Sequence, residues 1–153
     1  MKFFTNEKFA KNTSHSEYEA YCREKWRLIP DELKIINKGM LPEEMLLGLE
    51  SICLHDARII SVKNKDNSII FELNTDNSGE LHKVFLEYCE SKIIVKPNEN
   101  VLGSKPEDPD SDIMCHEIGI ESNGEYTHTV LFASEDELQI NFSRLIVEFL
   151  DAA

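Results

Sequence analysis

Leu54-His55-Asp56-Ala57-Arg58-Ile59-Ile60-Ser61-Val62, followed after a polar turn by Ile69-Ile70-Phe71-Glu72-Leu73, is where this chain changes character. Before it, apolar residues recur at helical spacing. From His55 onward they alternate with a period of two, as side chains do when they point to opposite faces of a sheet. Pairing the two runs about Asn64-Lys65-Asp66-Asn67 as a four-residue hairpin loop sets Val62 opposite Ile69, Ile60 opposite Phe71 and Arg58 opposite Leu73. Those residues, with Asp56, then share one face; Ser61, Glu72 and His55 take the other. Asp56 and Arg58, two residues apart on a strand, are placed to pair, and such a pair at a core edge orders a sheet more often than it does chemistry.

Working backward, Ser14 with Glu17, or Ser16 with Glu19, fits a capping box at a helix start. Tyr18, Tyr21, Cys22, Trp26 and Ile29 then form an apolar stripe, with Glu19, Arg23, Glu24 and Arg27 on the other side, until Pro30 ends the helix. Trp26, the only tryptophan, is expected as a core anchor, with ligand stacking as its alternative role. Asp31 offers a cap for a short helix through Leu33, Ile35 and Ile36, and Pro42 suits the first position of a further one over Glu43 to Leu47. Helices this short must lie against something, and the sheet that follows is the only candidate.

Working forward, Lys83 to Tyr88 and Lys92 to Lys96 are strand candidates, the second closed by Pro97. Asn98 to Asp112, with two prolines, a glycine and several acids, is expected as an exposed loop. A second hairpin is marked by Asn123-Gly124 between Asp112–Glu121 and Glu125–Phe132. Symmetric pairing about that turn groups Cys115, Glu117, Gly119, His128, Val130 and Phe132 on one face. The more apolar face then holds His116 with Ile118 and Ile120. Leu138 to Phe142 and Leu145 to Phe149 complete the strands, although the last also reads as a short helix. The expected fold is α+β: short N-terminal helices (1–54) packed on a mostly antiparallel sheet of about six to eight strands (55–153), in one domain, as a chain of 153 residues favours.

Composition limits function. Against 16 Lys and Arg stand 29 Asp and Glu, a net charge of −13. A surface this acidic repels nucleic acid and anionic membranes and favours a basic protein or a cation. No stretch approaches the about 20 apolar residues of a membrane span, and the opening turns polar too soon for a secretory signal, so a cytoplasmic protein is expected. Cys22, Cys53, Cys89 and Cys115 lack the spacing of a zinc site or a disulfide scaffold and are expected as reduced thiols.

Among residues able to do chemistry, Asp56, Glu117 and His128, with His55 and His116, are metal-ligand types that the two hairpins are able to gather, Glu117 and His128 being diagonal neighbours in the pairing above. They would then make a metal-assisted hydrolase. No His-Glu-x-x-His or complete calcium loop accompanies them; in Asp108-Pro109-Asp110-Ser111-Asp112 the proline intrudes and the glycine and distal glutamate are missing. Adjacent strand residues face opposite ways, so Cys115 and His116 cannot form a thiolate–imidazole couple, and no nucleophile elbow or Gly-rich phosphate loop occurs. No cofactor is expected. The reading is a non-enzymatic binding protein for a basic protein partner, with His55, Asp56, Arg58, Glu117, His128 and Trp26 as candidate contact residues; a small-ligand carrier with its pocket between helices and sheet is the other alternative. An exposed sheet edge is able to make a dimer, but nothing in the sequence compels one.

At Leu54-His55-Asp56-Ala57-Arg58-Ile59, at His116-Glu117-Ile118 and at Tyr126-Thr127-His128-Thr129-Val130-Leu131-Phe132 the chain resembles a bacterial family of unknown function. Phe3-Phe4-Thr5-Asn6-Glu7 and Leu138-Gln139-Ile140-Asn141-Phe142 extend the likeness over nearly the whole chain. Small bacterial proteins with a similar Leu-His-Asp strand, toxin-immunity proteins among them, share these features. The resemblance implies a cytoplasmic protein of Gram-positive type, and an immunity-type antagonist of a cationic toxin is one version of the binding role that the net charge suggests. It implies no activity, cofactor or catalytic residue.

Overall fold

The computed structural model describes residues 1–77, 80–103 and 109–150. Three short helices, α1 (Asn6–Lys11), α2 (Ser14–Lys25) and α3 (Asp31–Ile35), precede strands β1 (Arg58–Lys65), β2 (Ser68–Asn77), β3 (Glu80–Cys89), β4 (Lys92–Val95), β5 (Ile113–Ile120), β6 (Tyr126–Phe132), β7 (Glu137–Phe142) and β8 (Arg144–Leu150). The architecture is α+β, with the strands divided between two antiparallel four-stranded sheets. The first has the order β1-β2-β3-β8 and the second β4-β7-β6-β5. The chain leaves the first sheet after β3, builds the second, and returns to the first with β8.

The first sheet follows simple alternation. Ile69, Phe71 and Leu73 of β2 and Val84, Leu86 and Tyr88 of β3 are buried, and the residues between them are half-buried or exposed. These inward side chains meet those of the second sheet: the Tyr88 ring lies edge-on to Phe142 of β7, with centroids 5.1 Å apart. One continuous cluster of buried side chains draws on both sheets and on α2 and α3.

The first hairpin is tighter than its sequence suggests. It closes on Asp66-Asn67, with Lys65 opposite Ser68 and Asp66 in the left-handed region at φ +54°. Val62 therefore stands opposite Phe71, and Ile59, not Arg58, opposite Leu73, because a bulge between Ile59 and Ser61 absorbs the change in register. Ile59 is fully buried and Ile60 only half so. In the second hairpin Ile120 pairs with Tyr126 and Ile118 with His128, one residue away from symmetric pairing about Asn123-Gly124. A slip of one residue exchanges the faces of one strand relative to the other. His128 thus shares the inner face with His116 and Ile118, while Glu117 lies on the outer face with Thr127 and Thr129.

Helix α1 carries no helical stripe and buries no side chain. It is set by Thr5, whose Oγ1 accepts from the Lys8 N–H at 3.3 Å, and it ends at Asn12 in the left-handed conformation. Helix α2 begins at Ser14 and passes at Trp26 into a 3-10 turn that ends before Pro30. Its tyrosines tie it to the second sheet: Tyr18 Oη accepts from the Ile118 N–H at 3.1 Å and donates to Asn37 Oδ1 at 2.7 Å, and Tyr21 Oη accepts from the Ile120 N–H at 2.9 Å. The segment Glu43–Leu46 is a 3-10 turn rather than a helix. In the expected loop, Val101 and Ser111 are buried within short 3-10 turns, and 104–108 lie outside the described residues. No helix among the described residues is long and apolar enough to cross a membrane.

Candidate functional site

The Leu54–Arg58 segment is a turn, not the start of a strand. Asp56 has φ +66°, a conformation that aspartate tolerates better than most residues, and the Ala57 N–H closes the turn on Leu54 O at 3.0 Å. Leu54 and Ala57 are fully buried, and His55 and Asp56 are exposed. The turn grips the beginning of β5 at four points. The Asp56 N–H donates to Ile113 O (2.8 Å), the Ile113 N–H to Ala57 O (2.9 Å), His55 Nδ1 lies 2.7 Å from Met114 O, and Arg58 pairs with Asp112 through its Nε. Arg58 therefore does not pair with Asp56, whose carboxylate lies 3.5 Å from His55 Nε2. With Asp56 outside the strand, the two-residue periodicity that joined it to Arg58 does not apply. The motif staples the edge of one sheet to the edge of the other.

Glu117 is 5% exposed on the outer face of the second sheet, and its carboxylate receives the N-terminal segment. The Lys2 N–H donates to Oε1, and those of Phe3 and Phe4 donate to Oε2 at 3.0 and 3.3 Å. Three backbone donors that no strand satisfies are met by one anionic acceptor, a strong arrangement for both sides. Phe3 and Phe4 then pack against Tyr18, each with ring centroids 5.6 Å apart, and Phe4 is buried. The amino group of Met1 lies 2.9 Å from Glu137 Oε1.

Beside this segment runs an open groove of about 540 Å³. Phe4 and Phe9 line one side of it, and Met114 and Leu131 of the sheet the other. Glu135 adds a carboxylate to its lining, whereas that of Glu137 is paired with the Met1 amino group, which borders the groove too. Phe9 and Met114 are 44% and 46% exposed, a large apolar area for side chains of their kind to leave in water. The exposed His55–Asp56 turn is bound to the backbone of Met114, so it sits next to the groove. The arrangement offers an apolar surface and a carboxylate together.

Under that sheet is a buried polar chain that crosses between the layers. Tyr88 Oη lies 2.7 Å from His128 Nδ1, and His128 Nε2 lies 3.0 Å from His116 Nδ1. All three are at most 1% exposed, and His116 Nε2 is buried without a hydrogen-bond partner. Burial lowers the pKa of His116 to about 3 and that of His128 well below the usual histidine value, with the neighbouring His116 acting in the same direction on His128. Both rings are neutral near pH 7, and burial holds the Tyr88 hydroxyl protonated.

Asp56, Glu117 and His128 do not converge. Asp56 is on an exposed turn, Glu117 faces outward and His128 inward, the one-residue register difference having separated the last two. No group of three or more metal-ligand side chains gathers among the described residues. Trp26 is half-buried at the end of α2, packed at the margin of the core, with Lys34 Nζ 4.7 Å above its ring; it borders a shallow surface hollow with Arg23 and Met45. Cys22, Cys89 and Cys115 are buried free thiols and Cys53 a half-buried one; burial pushes Cys22 and Cys115 up to about 12, which keeps them protonated and unreactive. Sequence reasoning missed the groove because Phe9 lies in a helix without a stripe, and Met114 beside the irregular start of β5. The chain matches no protein-family model and no curated protein.

Proposed function

We propose that this chain is a non-enzymatic binding protein that holds a basic, apolar-anchored segment of a partner protein in the groove between its N-terminal segment and the second sheet. The observation that carries this reading is the combination of Phe9 and Met114, exposed and apolar, with the Glu135 carboxylate beside them. The net charge of −13 adds long-range attraction for a cationic partner, which speeds encounter more than it tightens the bound state. The apolar residues supply the affinity and the acids the choice of partner. A cationic toxin held by an immunity-type antagonist is one version of this reading, and a toxin gene adjacent to this one would favour it.

The test uses the full chain, labelled for NMR, with two synthetic peptides, one alternating leucine and lysine and the other leucine and glutamate. The expected result is that the lysine peptide alone shifts resonances of Phe9, Met114 and Leu131. Its affinity falls as salt is raised, and falls several-fold in Glu135→Gln. Equal binding of both peptides, or shifts confined to other surfaces, would overturn the reading.

A further inference from the structure

The two sheets have four edge strands, and three of them are closed to further pairing. An open edge presents a row of unpaired N–H and C=O groups, and proteins blunt such edges with bulges, lysines, short length or a covering element. On β1 there is the bulge at Ile59–Ser61, Lys63 and Lys65, and a bridge to Leu102. β4 is four residues long, bulged, and begins with Lys92. β5 carries a bulge, and the hydroxyls of Tyr18 and Tyr21 occupy the N–H groups of Ile118 and Ile120. β8 has no bulge and no lysine and is not short, and its one neighbour beyond the sheet is helix α3. It is seven residues long, pairs with β3 in unbroken register, and has the sequence Arg144-Leu145-Ile146-Val147-Glu148-Phe149-Leu150. Helix α3 comes alongside it, yet among the described residues no hydrogen bond reaches the open side of β8.

The charges on β8 point to its occupant. Arg144, Ile146 and Glu148 share the outer face, and all three are exposed. Among the described residues neither Arg144 nor Glu148 has an ion-pair partner; Arg144 reaches only Cys89 Sγ, at 3.9 Å. Four residues apart along a strand, the two are separated by about 13 Å and cannot meet within one chain. We propose that β8 pairs antiparallel with β8 of a second copy, about a two-fold axis at Ile146. In that register Arg144 stands opposite Glu148 of the other copy, twice, and Ile146 stands opposite its own symmetry mate. On the inner face Leu145 and Val147 stand opposite each other. The two first sheets become one sheet of eight strands. Such an interface is isologous and therefore closes at the dimer. The groove on the second sheet is not part of it, so this inference and the proposed function stand or fall separately.

The experiment is sedimentation equilibrium on the full chain from micromolar to near-millimolar concentration, with charge reversal on β8 and circular dichroism to check folding. Wild type is expected to show a concentration-dependent dimer. Arg144→Glu alone and Glu148→Arg alone each put like charges opposite one another twice and are expected to weaken dimerisation at least tenfold. Arg144→Glu/Glu148→Arg restores opposite charges and is expected to recover it to within a few-fold of wild type, a recovery that cannot arise inside one chain. Both residues are exposed, so all three variants are expected to fold. A monomer at every concentration, a dimer indifferent to the single reversals, or a double variant as weak as the singles would each overturn the proposal.

Discussion

The two sheets are built alike and used differently. The first is buried on one face, and its central strands alternate between buried and more open positions from Ile69 to Leu73 and from Lys83 to Tyr88. The second is covered on both faces, by the first sheet inside and by the N-terminal segment over part of the outside. In β5 four consecutive residues, Cys115 to Ile118, are buried, and in β6 another four, Thr127 to Val130. The lesson concerns polar residues. On the outer face of the first sheet Glu72 is a surface residue that bonds Ser61 and approaches Lys83. On the outer face of the second, Glu117 is a buried socket for three backbone N–H groups. The same residue type in the same kind of strand has opposite roles, because one face was left to water and the other was given to the chain's own first residues.

Comparing the two glutamates by substitution sharpens this contrast most. Glu117→Ala removes the acceptor of the Lys2, Phe3 and Phe4 N–H groups, and urea denaturation is expected to show a loss of about 2–4 kcal/mol. Glu72→Ala, in the same assay, is expected to stay within about 0.5 kcal/mol of wild type. Equal losses would erase the distinction between the faces.

The buried histidines give the next largest effect. Their pKa values are depressed in the folded state, so the unfolded chain binds protons that the folded chain does not. Stability is then full above the unfolded histidine value of about 6.5 and falls as the pH drops from there towards about 3, the value for His116. Each histidine contributes up to a tenfold loss in the folded-to-unfolded ratio per pH unit across that window. The slope of stability against pH is expected to fall by about one proton in His116→Leu, whatever that variant does to stability at neutral pH. An unchanged slope would mean that His116 is not the group being titrated.

Smaller effects are expected where the layers are only pinned. Tyr88→Phe removes the hydroxyl that bridges to His128 and is expected to cost about 1–2 kcal/mol in the same denaturation assay. Arg58→Met removes the ion pair with Asp112 at the staple. It is expected to cost about 1 kcal/mol or less, because both side chains are partly open to water.

Much of this architecture is legible in the sequence, and the failures share one physical cause. The alternation of Ile69, Phe71 and Leu73 and of Val84, Leu86 and Tyr88 places the first sheet's core directly. The helix through Tyr18 and Cys22 is equally plain. What periodicity does not convey is register. A two-residue turn in place of four moved the first hairpin's partners by two positions, and a bulge between Ile59 and Ser61 turned Ile59 inward at the expense of Ile60. A one-residue offset in the second hairpin parted His128 from Glu117 and joined it to His116. Division into two sheets was likewise invisible, since antiparallel strands look alike whichever sheet they join. The role of Glu117 depends on Lys2, Phe3 and Phe4, more than a hundred positions away, and no local pattern marks an acceptor for backbone groups that distant. Asp56 and Arg58 were visible as charges at a core edge; that Arg58 reaches Asp112 follows only from the staple.

The claim on which the groove and the contrast between sheets both depend is that the first residues are fastened to Glu117. Amide hydrogen exchange at Phe3 and Phe4 tests it most directly. Both amides are expected to be protected in the wild-type chain and to approach free-peptide rates in Glu117→Ala, while the amides of β2 and β3 keep most of their protection. Free-peptide rates at Phe3 and Phe4 in the wild-type chain would contradict the account.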